Sequence, residues 1–375
     1  MRKTYDVAVI GAGLAGLQCA RLLAGRGLRV ALLDRKRSVG DAIHTTGIFV
    51  RKTWEDFALP DEQLGAPIRR VTLYSPMRRA MQLEADHGEF RVGRMSWIYV
   101  YLLEQCARAG VTWMPSSRVT AIAGTTVVTD RQSIEARFII GADGPRSTVA
   151  RALALDTNEQ MLVGVEEVFP SSTNGEPELH CYLDPRLAPG YIAWLVDDGV
   201  EAHLGVAGYP DRFDPNTALA RFRAELAGRI AGPALERRGG LIPVGGMLRR
   251  IACSRGLVVG DAAGAVSPLT AGGLDAALRL SRFAAEVTER YLATGDAEVL
   301  RHYSGDAFRA RFVTRTWMRR AMRLIETPAM MELACALLRT PPLRALASHI
   351  FFARGSFPEP AHLPESAARF ALSRT

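Results

Sequence analysis

The chain has 375 residues, of which 48% are hydrophobic and 23% are charged, and its formal net charge is +8. This composition is typical of a soluble globular protein with a sizeable core, and it excludes a disordered or fibrous protein. Five scattered cysteines, without a CxxC pair or a nearby histidine pattern, predict buried free thiols and no metal site.

The first segment has the pattern of a strand, a glycine-rich turn, a helix and a second strand. Residues 5–10, "YDVAVI", are apolar and β-branched enough for a buried parallel strand. "GAGLAG" follows, with Gly11, Gly13 and Gly16 at the turn, and Asp34 ends the next strand 23 residues after Gly11. Such glycines let the backbone approach a pyrophosphate at a helix N-terminus, and such an acid reaches a ribose hydroxyl. The segment therefore predicts a dinucleotide site.

The middle of the chain alternates between two kinds of structure. Alternating apolar and polar residues at 66–93 and 160–210 predict antiparallel strands, and helices are predicted at about 95–109 and at 216–231. This interleaving predicts a nucleotide-binding domain from residues 1–65, 94–155 and 250–296, a β-rich domain from 66–93 and 156–249, and a helical C-terminal region, 297–375.

Residues 256–278, "GLVVGDAAGAVSPLTAGGLDAAL", place an acid at the end of an apolar strand. Burial of Asp261 is costly unless a partner forms hydrogen bonds with it. The proline and paired glycines that follow predict a tight loop that leads into a helix N-terminus. A polar ligand is therefore expected against Asp261 and that helix end.

Three motifs, "GAGLAG" with Asp34, "GADGPRSTVAR" and "GDAAGAVSPLTAGGL", follow one another along the chain. In this order they resemble the FAD-dependent oxidoreductases of the para-hydroxybenzoate hydroxylase class, and most closely its geranylgeranyl reductase family, over roughly residues 5–290. The resemblance implies an α/β fold: a Rossmann-type FAD-binding domain with an inserted antiparallel β-rich substrate domain and a helical C-terminal tail. It also implies non-covalently bound FAD.

The resemblance assigns two roles to the third motif. The Asp261 carboxylate would accept a hydrogen bond from the ribityl chain of FAD. The helix that starts near Gly272 and Gly273 would direct its positive end towards the N1–C2=O edge of the flavin, which carries negative charge when reduced.

Further cofactor contacts are implied by the second motif and its neighbourhood. Asp143 and Gly144 match an Asp-Gly pair near the pyrophosphate, Arg94 an arginine that opens a helix against FAD, and Val119 a backbone contact to adenine. In isolation, Asp143-Gly144 would be no more than a turn. The residues expected at the cofactor are Gly11, Gly13, Ala15, Gly16, Asp34, Arg35, Thr46, Arg94, Val119, Asp143, Gly144, Gly260, Asp261, Gly272, Gly273 and Leu274.

Candidate catalytic residues come from two stretches. "APGYIAWLVDDG" resembles the family's Tyr-x-Trp-x-Phe-Pro motif, which lines the substrate cavity; Trp194 fits it, and Tyr191 stands one residue early. A core tryptophan is the alternative. Many members of the family carry Cys-Gly near the flavin, where this chain has Thr46 before a glycine. Nearby His44 is a candidate acid, with a structural hydrogen bond as the alternative.

These features leave three classes of function open. The first is a flavin reductase or dehydrogenase that acts on an apolar, isoprenoid-like substrate by hydride transfer at flavin N5. The second is a monooxygenase that hydroxylates or epoxidises an apolar or aromatic substrate. The third is a non-redox binding protein or a cyclase with structural FAD. No second GxGxxG motif is present, so NAD(P)H is expected as a transient electron donor, or another carrier replaces it.

The ends of the chain bear on localisation. Asp6 and Arg21 interrupt the apolar N-terminal segment, which predicts a strand and a helix rather than a signal peptide, so the expected compartment is the cytoplasm. Residues 297–375 contain twelve Arg against six Asp or Glu, mixed with apolar residues at helical spacing. No nucleic-acid motif accompanies this charge, and nucleic acid is not an expected partner. Weak contact with an anionic membrane surface is expected from this tail, with packing on the protein itself as the alternative.

Overall fold

The computed structural model describes residues 3–172, 176–309, 312–352 and 357. Three short 3-10 helices lie at Asp61–Gln63, Ala227–Arg229 and Gly260–Ala263. The strands are β1 (Thr4–Ile10), β2 (Val30–Leu33), β3 (Ile48–Val50), β4 (Arg70–Tyr74), β5 (Ala80–Glu84), β6 (Phe90–Val92), β7 (Thr112–Met114), β8 (Val119–Ala123), β9 (Thr126–Thr129), β10 (Ser133–Gly141), β11 (Met161–Pro170), β12 (Glu178–Tyr182), β13 (Ala193–Asp197), β14 (Glu201–Gly208), β15 (Glu236–Pro243), β16 (Ala252–Cys253) and β17 (Gly256–Val258). The helices are α1 (Leu14–Ala24), α2 (Arg51–Asp56), α3 (Met95–Arg108), α4 (Thr148–Ala152), α5 (Pro215–Glu225), α6 (Leu274–Thr294), α7 (Ala297–His302), α8 (Asp306–Arg309), α9 (Val313–Leu324), α10 (Pro328–Leu338) and α11 (Pro341–Phe352).

The first sheet is mostly parallel and has the order β16–β17–β10–β1–β2–β7. Its core strand β1 is buried from residue 7 to residue 10, and helix α1 packs against both α3 and α6 beside the sheet. Gly11, Asp34 and Gly260 all follow the carboxyl ends of parallel strands, so the sheet brings them to one edge. Ligands of open α/β sheets bind at this edge.

The second sheet has the order β15–β11–β14–β13–β12–β4–β5. Its strands pair in antiparallel fashion, with one exception: β12 pairs with β4 in parallel. That pair brings together strands from separate segments of the chain, which no hairpin joins. The first sheet draws its strands from residues 4–10, 30–33, 112–141 and 252–258, and the second draws them from 70–84 and 161–243.

Helices form most of the C-terminal region up to residue 352. Met331 and Cys335 of α10 and Ala347 of α11 are buried in one apolar cluster with residues of the second sheet. Helix α11 begins at Pro341. Within the described residues, no helix is both long and apolar enough to cross a membrane. The predicted fold class, a Rossmann-type domain with an inserted β-rich unit and a helical tail, is confirmed.

Candidate functional site

A cavity of about 1150 Å³ connects the two sheets and the C-terminal helices. One end is formed by the turns that follow the parallel strands of the first sheet. The other end is formed by one face of the second sheet and by helices α9 and α11. The dinucleotide motifs and the substrate-side candidates therefore border the same space.

The glycine turn at the first end has room for a ligand at one position. Gly11 has φ +102°, and a Cβ there would lie 2.2 Å from the carbonyl oxygen of Ala142. A Cβ on Gly16 would lie 1.8 Å from the carbonyl oxygen of Gly11, so Gly16 allows α1 to pack closely and does not itself line the cavity. Gly13, the N-cap of α1, faces open space: no side chain caps this helix, and a Cβ there would meet nothing within 4 Å. The first N–H groups of α1 are thus available to a pyrophosphate.

Asp34 closes this end of the cavity. Its Oδ2 accepts a hydrogen bond from Ala12 N at 2.6 Å and its Oδ1 accepts one from Lys36 N at 2.8 Å. These bonds fix the carboxylate beside the glycine turn, where an acid reaches a ribose. Arg35 and Val119 also line the cavity here, together with the Arg118 side chain.

Asp261 is a cavity-lining acid whose carboxylate has no hydrogen-bond partner among the described residues. Burial raises the pKa of this carboxyl to about 6. Its backbone carbonyl is held by Asn158, whose Nδ2 donates at 2.8 Å. An unpaired acid fixed in this way needs an external donor. The ribityl hydroxyls of FAD are such donors, as the sequence predicts.

The loop after Asp261 opens helix α6 towards the cavity. Ser267 N donates to the carbonyl oxygen of Gly272 at 3.0 Å, which closes a tight loop. Gly273 is the N-cap of α6, and no side chain caps this helix. Gly260, Gly272 and Leu274 line the cavity as well. The positive end of α6 therefore faces the space expected to hold the flavin.

Asp143 has a structural task. Its Oδ1 accepts from Ser147 Oγ at 2.6 Å, and its Oδ2 accepts from Thr148 N at 2.7 Å, at the start of α4. Burial raises the pKa of the Asp143 carboxyl despite these bonds. Asp143 and Gly144 do line the cavity. The carboxylate is thus already satisfied by α4, and the turn offers a ligand mainly its backbone.

Arg94 does not reach the cavity, contrary to the expectation from the resemblance. It is the N-cap of α3, and its guanidinium donates to both carboxylate oxygens of Asp198 at 2.7 and 3.1 Å. Glu201 Oε2 lies 3.2 Å from the same guanidinium. A buried carboxylate in bidentate geometry satisfies the arginine fork, so Arg94 ties α3 to the second sheet.

The substrate-side candidates all border the cavity. The Tyr191 hydroxyl donates to the carbonyl oxygen of Thr270 at 2.8 Å, and the Trp194 indole Nε1 donates to Glu166 Oε2 at 3.0 Å. His44 donates through Nδ1 to the carbonyl oxygen of Gly239 at 2.7 Å. His44 thus makes the structural bond that was the alternative to an acid role.

Glu166 is a cavity residue that the motifs do not indicate. Its carboxylate also accepts a hydrogen bond from the Thr46 hydroxyl, and Arg238 Nη1 lies 3.6 Å from its Oε1. Burial alone would raise the pKa of Glu166, but the hydrogen bond and charge of His203, with Thr46 and Arg238, bring it below its ordinary value. Two consecutive glutamates inside the apolar strand "LVGVEEVF" are the sequence signal that could have revealed it.

Apart from Arg238 and Arg315, the rest of the cavity wall at this end is mostly apolar. It comprises Ile48, Val50, Leu73, Phe90, Leu179, Cys181, Leu183, Ile192, Ile242, Met318, Ala321, Met322, Ile325, Leu338, Leu346, Ala347, Ile350 and Phe351. Alternate residues of β12, Leu179 and Cys181, belong to this list because one face of the strand points inwards. Helix α9 is anchored over it by buried Arg319, which donates to the carbonyl oxygens of Pro268 at 2.6 Å and Leu269 at 3.2 Å.

The unpaired Asp261, the open Gly13 turn and two uncapped helix N-termini fit a flavin dinucleotide. The fold and site define an FAD-dependent oxidoreductase. The FAD binding domain family model matches residues 115–318, more than half of the chain, and the FAD dependent oxidoreductase model matches residues 6–100. The chain belongs to the FAD binding domain family.

Curated relatives align with most of the chain. It is 28% identical over 333 residues to the digeranylgeranylglycerophospholipid reductase of Methanoculleus marisnigri, covering 82% of each chain. It is 28% identical over 309 residues to the geranylgeranyl diphosphate reductase of Rhodobacter capsulatus, covering 78% of this chain and 76% of that one.

Solved structures share the fold. A geranylgeranyl bacteriochlorophyll reductase-like protein from Thermoplasma acidophilum superposes with a TM-score of 0.79 at 19% identity, covering 93% of this chain and 99% of that one. PqsL of P. aeruginosa, in complex with 2-aminobenzoylacetate, superposes with a TM-score of 0.65 at 17% identity, covering 88% and 100%.

Proposed function

We propose that this protein is a flavin-dependent reductase that saturates carbon–carbon double bonds of a geranylgeranyl-type isoprenoid. The observation that carries the proposal is the cavity: the residues suited to FAD and a long apolar wall border one continuous space of about 1150 Å³. The names of the curated relatives, reductases of geranylgeranyl compounds, support the choice of substrate class.

The division of labour follows the three regions of the chain. Residues 1–65, 94–155 and 250–296 bind FAD, residues 66–93 and 156–249 bind substrate, and the described helices of the region 297–375 cover the cavity. When bound, FAD supplies the hydride. Asp261 orients the ribityl chain, Asp34 the ribose, and the α1 N-terminus the pyrophosphate. The face of the second sheet with Trp194 and Tyr191 holds the polyprenyl chain and excludes water.

The electron donor is NAD(P)H, acting transiently, or another carrier. Without a second GxGxxG motif in the sequence, the donor has no Rossmann turn of its own and must approach the flavin through the same cavity.

A direct assay tests the proposed reaction. The purified protein is loaded with FAD, reduced with NADPH or with dithionite under anaerobic conditions, and mixed with geranylgeranyl diphosphate. Mass spectrometry is expected to show a product that has gained two hydrogens for each double bond reduced. Product that instead gains one oxygen in air, with a transient flavin-peroxide absorbance, supports the monooxygenase alternative and refutes the reductase.

We further propose that the enzyme works in the cytoplasm and docks on anionic membranes through the C-terminal helices. Of the eleven large apolar side chains exposed among the described residues, seven lie in α9–α11: Val313, Trp317, Leu324, Met330, Leu333, Leu337 and Leu346, the last of which also borders the cavity. In α9 the exposed apolar residues lie at i, i+4 and i+11, on the side opposite the cavity-lining Arg315, Met318 and Met322.

Charge and position favour a membrane as the occupant of this exposed face. Helix α9 has four arginines and no acidic residue, and Arg320 stacks on the ring of Trp317 at 5.0 Å. A basic helix with an exposed apolar side is typical of a membrane-surface element. One side of α9 would contact lipid while its other side borders the cavity, which suits an isoprenoid taken from the bilayer.

A further inference from the structure

Glu166 is an acidic side chain in a part of the cavity wall that is mostly apolar, and its surroundings lower its pKa. Its Oε2 accepts hydrogen bonds from Trp194 Nε1, at 3.0 Å, and from the Thr46 hydroxyl. Both donors need only an acceptor at this place, and a neutral amide would serve them equally. The charge of Glu166 therefore needs another explanation.

The other oxygen of Glu166 faces a fully buried histidine. Its Oε1 lies 3.3 Å from Nδ1 of His203, on the neighbouring strand β14. Nε2 of the same imidazole lies 3.5 Å from Oε2 of Glu201, whose side chain is 25% exposed. Glu166 is paired with Gly205 across the strands, so the two residues lie on the same face of the sheet. Residues 201 and 203 of β14 lie on that face too, because every second residue of a strand points the same way. A row of titratable groups thus leads from a partly exposed carboxylate to the cavity.

The two glutamates keep a proton on His203 against the positive charges of nearby arginines. Arg238, on β15, lies near Glu166 and is itself paired with Glu236 at 2.6 Å, while Arg94 lies 3.2 Å from Glu201. Burial lowers the pKa of His203, but the two glutamates, Glu166 bonded to Nδ1 and Glu201 at 3.5 Å from Nε2, raise it to about 9. A buried ion pair contributes little net stability compared with apolar residues of the same volume, so stability alone does not explain this one.

Other acids of the cavity are engaged elsewhere. The Tyr191 hydroxyl donates to a backbone carbonyl. Asp275 accepts from Thr53 Oγ1 at 2.9 Å and from Arg279 Nε at 3.0 Å. Asp261 lies at the end assigned to the cofactor. The row through His203 is connected to a partly exposed group and reaches the wall assigned to the substrate.

We propose that the Glu166–His203 pair supplies the proton that accompanies hydride transfer to the substrate double bond, with Glu166 as the donor that meets the substrate. This inference rests on the proposed function. Saturation of one C=C adds a hydride to one carbon, supplied by the reduced flavin, and a proton to the other. The proton moves from His203 Nδ1 to Glu166 and then to carbon, where the new C–H bond uses the π electrons. Neutral His203 regains a proton from solvent through Glu201.

The decisive variant is Glu166→Gln, which keeps an acceptor for Trp194 and Thr46 but holds no transferable proton. Its matched control is Glu167→Gln: Glu167 follows Glu166 on β11, is also buried, and lies 3.3 Å from Arg223. General acid catalysis contributes about 10²–10⁴-fold. We therefore expect the reoxidation of the dithionite-reduced, FAD-loaded variant by geranylgeranyl diphosphate to slow by at least ~100-fold. FAD content and the Kd of the probe should stay at wild-type values, and the control should react at the wild-type rate.

A second measurement does not depend on turnover. NMR titration of His203 in the cofactor-free protein should give a lower pKa in Glu166→Gln, by about one to two units, and no change in Glu167→Gln. If Glu166→Gln does not fold, Glu166→Asp provides the test. In that variant the pKa of His203 should still be raised, and reoxidation of the flavin should be slower than in the wild type. An unshifted His203, or a wild-type reoxidation rate in Glu166→Gln, overturns the proton role. A wild-type protein that does not reduce the probe at all, while His203 titrates as expected, counts against the proposed function instead.

Discussion

The hydroxyl of Tyr191 donates to the carbonyl oxygen of Thr270 at 2.8 Å, and this bond joins the loop before β13 to the loop that opens helix α6. The two residues are 79 positions apart in the chain. Because Thr270 belongs to the loop that sets the α6 N-terminus, a side chain from the loop before β13 holds the substrate wall and the flavin-facing helix end in register.

Replacement of this tyrosine should therefore loosen the flavin site. In Tyr191→Phe the lost hydrogen bond is worth about 1 kcal/mol, so FAD affinity should fall about fivefold, as measured by equilibrium fluorescence titration. Tyr209→Phe is the control, because Tyr209 is also buried and packs under Arg323, and its hydroxyl has no hydrogen bond to a described residue. Equal FAD affinity in both variants would contradict the coupling.

Replacement by alanine should have different effects at the two glycines Gly13 and Gly16: at the first it should weaken FAD binding, and at the second it should destabilise the fold. Gly13→Ala adds a methyl group where nothing lies within 4 Å, at φ −81°, so the protein should fold normally. It should nevertheless lose FAD affinity, since the methyl group enters the space assigned to the pyrophosphate. Gly16→Ala places a Cβ 1.8 Å from a backbone oxygen and should destabilise the fold itself. Thermal denaturation of the cofactor-free proteins and FAD titration separate the two effects; a Gly13→Ala protein with wild-type FAD affinity would place the pyrophosphate elsewhere.

The residues of the site differ in how well the sequence alone could predict them. The placement of Gly11, Gly13 and Asp34 at one edge of the first sheet was predictable because it depends on local backbone geometry within one βαβ unit. Asp261 was predictable because a buried acid needs a partner wherever it occurs. The Glu166–His203 pair was not, since it depends on the register between β11 and β14, which no local pattern encodes. Arg94 was misplaced for the same reason: its partner Asp198 lies 104 positions away.

The buried acid of the third motif predicts a pH effect on the cofactor-free protein. Burial raises the pKa of Asp261 from its ordinary value of 3.8 to about 6 in the folded state. A raised carboxyl pKa means that the folded state binds the proton more tightly, so its stabilising contribution is present below pH ~4 and is lost as the pH rises through ~6. Asp261→Asn removes this loss. The FAD-free variant should thus melt a few degrees above the FAD-free wild type at pH 7.5, with no such gain at pH 4.

The same substitution should replace the charged acceptor for the ribityl chain with a weaker, neutral amide oxygen. Asp261→Asn is therefore expected to be the more stable protein without FAD and the weaker binder of FAD. Full flavin occupancy in this variant would show that Asp261 does not contact the cofactor. Melting curves identical to those of the wild type at both pH values would show that its carboxylate is not an unpaired buried acid.

The contacts of Arg319 predict that one substitution can loosen the C-terminal helices from the rest of the protein. This buried side chain of α9 donates to the carbonyl oxygens of Pro268, Leu269 and Gly190, and it stacks on the Tyr191 ring at 4.9 Å. Arg319→Met leaves those carbonyls unpaired, at a cost of about 3 kcal/mol. Limited proteolysis should then cut the tail helices at least ~100-fold faster, whereas exposed Arg320→Met should be cut at the wild-type rate. Equal resistance in both variants would mean that the apolar packing of α10 and α11 alone holds the tail.

If α9 docks on membranes, substitution of its exposed tryptophan should weaken vesicle binding, whereas substitution of an equally exposed tryptophan elsewhere should not. Trp317 of α9 is 63% exposed and Trp97 of α3 is 62% exposed, so they form a matched pair on different elements. Wild-type protein should co-sediment with phosphatidylglycerol-containing vesicles at low salt and not with neutral phosphatidylcholine vesicles, because each basic side chain near an anionic surface adds about 1 kcal/mol. At 1 M salt the Debye length falls to ~3 Å, and binding should be released.

Trp317→Ser, and more strongly Trp317→Ser with Leu333→Ser, should weaken vesicle binding, whereas Trp97→Ser should not. Equal binding of the two tryptophan variants, or no binding of the wild type at low salt, would leave the exposed face of α9 without a membrane role and the tail as a cover for the cavity.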